Sequence, residues 1–129
     1  QIEVLDKHVG LRRANQQFYK KLFSKVPGIT VFEEPTKAYF SNHWLSSISI
    51  DKVKTGFSKE DLRLSLQKDI IESRPLWKPL HLQPVFNACQ YYGNHVAETL
   101  FKNGLCLPSG SNLTEKDCVR IENSVRKLL

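Results

Sequence analysis

The chain has 129 residues, of which 40% are hydrophobic and 25% are charged, a composition typical of one folded domain. No apolar run approaches the roughly 20 residues that a membrane span needs, and no signal-peptide pattern is present, so we expect a cytoplasmic protein without membrane contact. The net charge of +6 suggests nucleic-acid binding as one hypothesis. However, the basic residues are interleaved with acidic ones rather than gathered into a stripe, which favours an ordinary solvated surface.

Cysteine and histidine usage gives no sign of a disulfide framework or a metal centre. Cys89, Cys106 and Cys118 are an odd number without CxxC spacing, which predicts reduced structural thiols. The histidines lie far apart without ligand spacing. Common nucleophile, phosphate-loop, dinucleotide and zinc-protease motifs are also missing from the sequence, so no catalytic residue and no metal site are predicted.

The N-terminal segment has the apolar spacing of a long helix. Residues 2–24 carry spaced apolar positions, among them Ile2, Leu5 and Val9, with charged residues between them. This predicts a helix that is interrupted near Gly10 and ended by Pro27-Gly28. The chain contains no methionine, and no Ser, Thr, Asp or Asn residue caps the start of this helix. We therefore expect a piece of a longer protein.

Two strands and a capped helix are predicted next. Residues 29–32 fit a short strand, and residues 37–50, rich in aromatic and β-branched residues, fit a longer one. Ser58-Lys-Glu-Asp61 is a capping-box variant that begins a helix. We expect this helix to end around Lys68-Asp69, with Asp69 in the left-handed conformation, and Ile70-Ile71 to begin a short strand.

The C-terminal part of the chain predicts a helix, a strand and a second helix. Residues 93–103 have helical apolar spacing, and Gly104 suits the position after the helix. Leu105-Cys-Leu107 predicts a buried strand, and Thr114 with Asp117 three residues later predicts the cap of the last helix. We infer an α+β fold for a single domain of residues 1–129, with a small, mostly antiparallel sheet and helices packed on one face.

One stretch, SRPLWKPLHLQPVF at residues 73–86, needs a separate explanation. Its three prolines exclude a helix interior and a central strand. Arg74 offers a planar fork for phosphate or carboxylate, Trp77 an apolar wall for a sugar or base, and His81 a constrained imidazole. Earlier in the chain, Asn42 offers an amide for a phosphate oxygen. Together they predict a preformed site for an anion and a sugar. Each residue also has a structural alternative: an exposed surface residue for Arg74, a core residue for Trp77, a packed residue for His81 and a cap at a strand edge for Asn42.

The order of these features resembles a known family. The chain is similar to the C-terminal part of DegT/StrS-type sugar aminotransferases in four segments: VGLRRANQQFYKKLF, SNHWLSSISI, FSKEDLRLSLQKDIIESRPLWKPLHLQPVF and LFKNGLCLPSGSNLTEKDCVRIENSVRKLL. The most specific part is SRPLWKPLHLQP, followed by GLCLPSGSNLT. Asp69 departs from the family, which often has Gly or Asn there.

The resemblance implies a pyridoxal phosphate enzyme. Such enzymes transfer an amino group from an amino donor to a nucleotide-linked keto-sugar, here most similar to those acting on 4-keto-6-deoxy sugars for bacterial surface polysaccharides or glycans. By resemblance, the chain is the small domain of a type I homodimeric aminotransferase, and the helix of residues 1–24 links to the large domain. The large domain carries the cofactor lysine and most of the cofactor pocket. No stable binding of pyridoxal phosphate by this chain alone is therefore expected.

The resemblance also implies roles for individual residues. Asn42 would approach the cofactor phosphate of the partner subunit, and four residues would line the nucleotide-sugar entrance: Arg74, Trp77, Lys78 and His81. Two alternatives stay open. A related sugar dehydratase differs in the large domain, where a histidine replaces the lysine, and a basic nucleic-acid-binding module would show steeply salt-dependent binding.

Overall fold

The computed structural model describes residues 2–129, which form five α-helices and four β-strands. The helices are α1 (Leu5–Phe23), α2 (Lys52–Thr55), α3 (Lys59–Lys68), α4 (Val96–Asn103) and α5 (Glu115–Arg126). The strands are β1 (Ile29–Val31), β2 (Ser46–Ile50), β3 (Arg74–Pro75) and β4 (Gly104–Leu107). Short 3₁₀ turns occupy Ile2–Val4, Leu80–Leu82 and Pro84–Phe86.

The four strands form one antiparallel sheet in the order β1-β2-β4-β3. Ile48 of β2 lies opposite Leu105 of β4, and Arg74 of β3 lies opposite Cys106. Pro75 has no N–H to donate. It is tolerated because β3 is an edge strand, so its open side has no neighbouring strand that would need this hydrogen bond. The predicted α+β fold with a small antiparallel sheet is confirmed.

The two faces of the sheet differ in chemistry because side chains alternate along each strand. The core face packs against α1, α3 and α5. The buried core residues are Tyr19, Phe23, Ile48, Ile50, Phe57, Leu62, Leu66, Ile71, Leu105, Leu107, Ile121 and Val125. The opposite face carries small and polar side chains: Ser47, Ser49, Arg74 and Cys106. The candidate site lies on this polar face.

Helix α1 differs from its prediction because Gly10 does not interrupt it. The helix runs continuously from Leu5 to Phe23. A mid-helix glycine costs only about 1 kcal/mol relative to alanine. The C-terminal half of α1 is anchored by buried residues that begin at Asn15, so the helix tolerates the glycine. No helix within residues 2–129 combines the length and the hydropathy required to cross a membrane.

The predicted strand over residues 37–50 is wrong for residues 37–45. Only Ser46–Ile50 pairs with other strands, and residues 32–45 are irregular. Side-chain hydrogen bonds replace the ladder there, since Ser41 Oγ accepts from the His43 N–H and Asn42 Oδ1 accepts from the Trp44 N–H. Such local bonds compete with regular structure.

Both predicted capping boxes are present. The Ser58 side chain accepts from the Asp61 N–H while the Asp61 carboxylate accepts from the Ser58 N–H, and Thr114 and Asp117 repeat this arrangement at α5. Each box satisfies two of the backbone donors that the first turn of a helix leaves unpaired.

The end of α3 corrects two predictions. The left-handed residue is Ile70, with φ 57°, and not Asp69, whose φ is −92°. The Asp69 carboxylate binds Lys127 at 2.7 Å instead. Consequently Ile70 and Ile71 form the turn out of the helix, and the strand begins only at Arg74.

The start of α4 differs from its prediction, whereas Gly104 follows the helix as predicted. The helix begins at Val96 rather than at residue 93, because His95 is left-handed with φ 61°. Gly104 directly follows α4, as predicted, and with φ −92° it is also the first residue of β4. Glycine is required here because an added Cβ would collide with the side chain of Leu76 and the carbonyl of Leu100.

Candidate functional site

A cavity of about 440 Å³ opens on the polar face of the sheet. Its lining comes from the segment before β2, from β3 with its flanking residues, and from β4 with the turn after it. The lining residues that the argument uses are Trp44, Glu72, Ser73, Arg74, Trp77 and Cys106. This volume is within the range of small-molecule sites.

Two tryptophans form one wall of the cavity. The ring centroids of Trp44 and Trp77 are 6.2 Å apart with planes inclined by 35°. Both side chains are exposed, at 60% and 68%, so their ring faces are available to a ligand. The sequence analysis selected Trp77 but missed Trp44, which lies only two residues after Asn42. The available signal was an aromatic residue just before a strand.

Arg74 lines the same cavity. Its Nε and Nη2 donate to Glu72 Oε1 at 2.7 and 2.5 Å, and both side chains are more than 70% exposed. Exposed ion pairs of this kind contribute little to stability, so the guanidinium can exchange Glu72 for an anionic ligand. The Ser73 hydroxyl beside it is buried, with no hydrogen-bond partner among the described residues.

Asn42 lies next to the cavity without lining it. Its Oδ1 accepts from the Trp44 N–H at 3.0 Å, which leaves the amide NH₂ group for another acceptor. The residue is exposed. A neutral donor of this kind can bind a phosphate oxygen, which is the role implied by the family resemblance.

Helix α1 fixes the loops around the cavity through one polar stripe. Arg12 Nη1 donates to the Trp44 carbonyl at 2.6 Å and to the Ser109 carbonyl at 3.2 Å. Other members of the stripe bind the turn after β4, namely His8 to Ser111, Asn15 to Gly110 and Tyr19 to Pro108. Because these positions follow a helical spacing, one face of α1 supports the whole turn.

Lys78 and His81 lie on the irregular segment after β3 and do not line the cavity. Lys78 is exposed, and its carbonyl accepts from the Gln83 amide at 3.3 Å. His81 stacks on Tyr91 with ring centroids 4.0 Å apart, and its Nε2 lies 2.7 Å from Glu98. The structure therefore brings Arg74 and Trp77 together but places Lys78 and His81 outside that cavity.

Glu98 joins this segment to α4. Its Oε1 lies 2.6 Å from His95 Nδ1 and 2.7 Å from His81 Nε2. The hydrogen bonds from His95 first, and from His81 second, lower the pKa of the Glu98 carboxyl group. A carboxylate that stays ionised keeps both imidazoles in place.

The cysteines that the structure describes are unpaired and lie apart from any metal-type cluster. Cys89, Cys106 and Cys118 are free thiols. Cys106 is buried in β4 and lies 3.5 Å from the Ser47 hydroxyl. Within residues 2–129, no cluster of histidine, cysteine and carboxylate side chains has the arrangement of a metal site.

Comparison of this chain with known proteins identifies its family. The family model described as "DegT/DnrJ/EryC1/StrS aminotransferase family" matches residues 1–126. EpsN of Bacillus subtilis (strain 168), provisionally named a pyridoxal phosphate-dependent aminotransferase, is 42% identical in an alignment of 125 residues that covers 94% of this chain and 31% of EpsN. GDP-perosamine synthase of Escherichia coli O157:H7 is 28% identical over 127 residues, covering 98% of this chain and 33% of the synthase.

A solved structure shares the fold. The crystal structure of the aminotransferase TlmJ from Streptoalloteichus hindustanus matches with a TM-score of 0.84 at 21% identity, covering 99% of this chain and 33% of TlmJ. The chain thus spans about a third of the length of the relatives it matches. From the family match over residues 1–126, the chain belongs to the DegT/DnrJ/EryC1/StrS aminotransferase family.

Proposed function

We propose that the chain is the C-terminal domain of a cytoplasmic, homodimeric aminotransferase that uses pyridoxal phosphate to aminate a nucleotide-linked keto-sugar for bacterial surface polysaccharides or glycans. The observation that carries the proposal is the cavity that combines the Arg74 guanidinium with the ring faces of Trp44 and Trp77. An arginine fork suits a diphosphate, and indole faces suit a sugar or a base. The similarity to GDP-perosamine synthase supports this substrate class.

In this proposal Arg74 leaves Glu72 and binds the diphosphate of the substrate. Breaking the Arg74–Glu72 ion pair costs little free energy, because the pair is exposed to water. Lys78, next to Trp77 and also exposed, adds positive charge at the entrance. His81 is already held by Glu98 through Nε2 and stacked on Tyr91. Its role is therefore to shape the entrance and to offer its second ring nitrogen, Nδ1.

The residues of this chain fit one part of the cofactor, its phosphate. The Asn42 amide NH₂ group is not needed inside the domain, since Oδ1 alone makes the turn to Trp44. When bound, pyridoxal phosphate supplies the carbonyl chemistry that exchanges the amino group. By the resemblance, the cofactor lysine belongs to the large domain, outside these 129 residues, and Asn42 would serve the site of the partner subunit.

The proposal is tested with the full-length protein, pyridoxal phosphate, an amino donor and a nucleotide-linked 4-keto-6-deoxy sugar. Mass spectrometry should detect an amino sugar still attached to its nucleotide. Loss of a hydroxyl group without gain of nitrogen would instead identify a dehydratase. A histidine in place of the cofactor lysine in the large domain would agree with that outcome. Salt-sensitive binding to generic DNA, without either product, would favour a nucleic-acid-binding module.

A further inference from the structure

Glu34 lies where α1 meets the irregular segment before β2. Its carboxylate Oε1 accepts from Arg13 Nη1 at 2.8 Å and from the Ser41 N–H at 3.1 Å. Its Oε2 lies 3.4 Å from Nε2 of His43. One side chain, only 20% exposed, therefore connects the helix to two residues of the segment 41–44.

Arg13 completes this contact from the helix. Besides Glu34, it donates to the carbonyl of Ser41, and its guanidinium lies 4.5 Å above the ring of Phe40. Both backbone groups of Ser41 are thus bound, the N–H by Glu34 and the carbonyl by Arg13. The hydrogen bond from Arg13 is the main cause that lowers the pKa of Glu34 to about 2.

His43 shows that the segment is held in an unusual conformation. Its φ is 45°, and the residue is 7% exposed. A histidine adopts the left-handed region only where its surroundings stabilise it. Here the stabilising contacts include the Ser41 hydroxyl, which accepts from the His43 N–H at 3.0 Å, and the Glu34 carboxylate.

We propose that Glu34 is a positioning residue of the site, which holds segment 41–44 so that Asn42 is presented outward and Trp44 lies beside Trp77. Glu34 itself touches neither substrate nor cofactor. The inference rests on the proposed function for what Asn42 and Trp44 bind. The conformation that Glu34 maintains does not depend on that function.

The first test examines the conformation in the 129-residue chain by NMR. Glu34→Gln keeps the shape of the side chain and removes its charge, so the amide signals of Ser41 and His43 should shift. The strong amide-to-α-proton NOE within His43, which a positive φ produces, should weaken. Glu33→Gln is the matched control, because Glu33 also pairs with α1, binding Lys20 at 2.6 Å, whereas its side chain has no hydrogen bond or ion pair to described residues 41–44. Unchanged signals in Glu34→Gln would overturn the inference.

The second test measures the dissociation constant of pyridoxal phosphate in the full-length protein. Glu34→Gln should raise it about tenfold, because the contact of the Asn42 amide with the charged cofactor phosphate is weakened. Its melting temperature should fall below that of Glu33→Gln, since Glu34 has a lowered pKa in the fold, but the variant should stay folded at the assay temperature. The double variant Asn42→Ala, Glu34→Gln should bind pyridoxal phosphate no more weakly than Asn42→Ala alone. The reason is that both substitutions act on the same contact, that of the Asn42 amide with the cofactor. Additive losses would overturn the inference.

A rescue variant separates positioning from general instability. Glycine adopts a positive φ without help, so adding His43→Gly to Glu34→Gln should recover part of the lost cofactor affinity. Failure to recover any affinity, with the protein folded, would count against the inference. If Asn42→Ala alone leaves the cofactor bound normally, the proposed role of Asn42 is wrong, and the NMR signals then decide the role of Glu34 by themselves.

Discussion

At the scale of single residues, Arg74 gives the sharpest prediction. In the full-length protein, Arg74→Ala should weaken nucleotide-sugar binding roughly ten- to a hundredfold, because a charge-assisted bidentate contact to phosphate contributes on the order of 1.5–3 kcal/mol. Pyridoxal phosphate should stay bound. Isothermal titration with the nucleotide-sugar measures the effect, and Arg63→Ala, which removes an arginine paired with Glu60 on α3, is the control. Normal binding by Arg74→Ala would refute the assignment of this site.

Asn42→Ala should produce the opposite pattern, because its expected partner is the cofactor phosphate. Cofactor affinity should fall while the affinity for the nucleotide-sugar changes less. His81→Ala should weaken sugar binding less than Arg74→Ala does, since its Nε2 is already engaged by Glu98. A purely structural role of all three residues would instead lower the melting temperature together with every binding affinity.

At the scale of elements, the uninterrupted α1 predicts that Gly10→Ala stabilises the chain. No atom lies within 4 Å of an added Cβ at Gly10, so alanine gains helix propensity without a clash. The expected gain is about 0.5–1 kcal/mol in the free energy of unfolding, measured by denaturant titration. Gly28→Ala is the contrasting control: Gly28 has φ 88° and an added Cβ would lie 2.6 Å from Lys54 Cβ, so this change should destabilise. A destabilised Gly10→Ala variant would contradict the described helix.

The capping box of α5 predicts a defined pH dependence. The hydrogen bonds from Thr114 lower the pKa of Asp117 below its ordinary value of 3.8. A carboxyl group whose pKa is lowered by folding stabilises the fold above the unfolded pKa and loses this contribution as the pH falls through the folded pKa. Asp117→Asn should therefore reduce the melting temperature near neutral pH, with a difference from wild type that shrinks under acid conditions.

Two further variants make the capping prediction specific. Thr114→Ala should cost about 1 kcal/mol, the usual value of a lost N-cap. Glu115→Gln removes a charge from the same turn without breaking the box, so its melting temperature should stay close to that of wild type. Equal losses in Asp117→Asn and Glu115→Gln would show that charge near the helix end, not the box, is responsible.

At the scale of the whole molecule, we expect that the 129-residue chain alone catalyses no amino transfer. Asn42 is proposed to contact the cofactor phosphate, whereas the cofactor lysine is expected in the large domain, outside these 129 residues. Absorbance spectra of pyridoxal phosphate with and without the chain, followed by addition of an amino donor, measure this directly. A stoichiometric spectral change that responds to the donor would contradict the expectation.

The exposed start of α1 predicts self-association of the chain. Ile2 and Leu5 are 88% and 54% exposed, and the helix buries residues only from Asn15 onward. We expect this apolar surface to be covered in the full-length protein and to associate when it is not. Sedimentation velocity at increasing concentration should detect the association, and Leu5→Lys should reduce it. Leu64→Lys on α3, where leucine is 42% exposed, is the control, and a strict monomer at high concentration would contradict the prediction.

The sequence alone determined the features that depend on residues close together in the chain. The two capping boxes, the buried strand at Leu105–Leu107 and the α+β class were predicted correctly, because a cap or an alternating pattern is formed by neighbouring residues. The family followed from motifs of the same local kind.

Only the tertiary structure decided the features that depend on distant partners. The residues before Ser46 have strand propensity, yet α1 binds them through Arg12 and Arg13. Within residues 2–129, no strand pairs with positions 37–45 to complete a ladder. The pairing of Trp44 with Trp77 across 33 positions, and the gathering of Arg13, Ser41 and His43 around Glu34, likewise come from packing between elements. A local pattern determines which conformations a segment prefers, whereas long-range contacts determine which of them it keeps and which side chains meet.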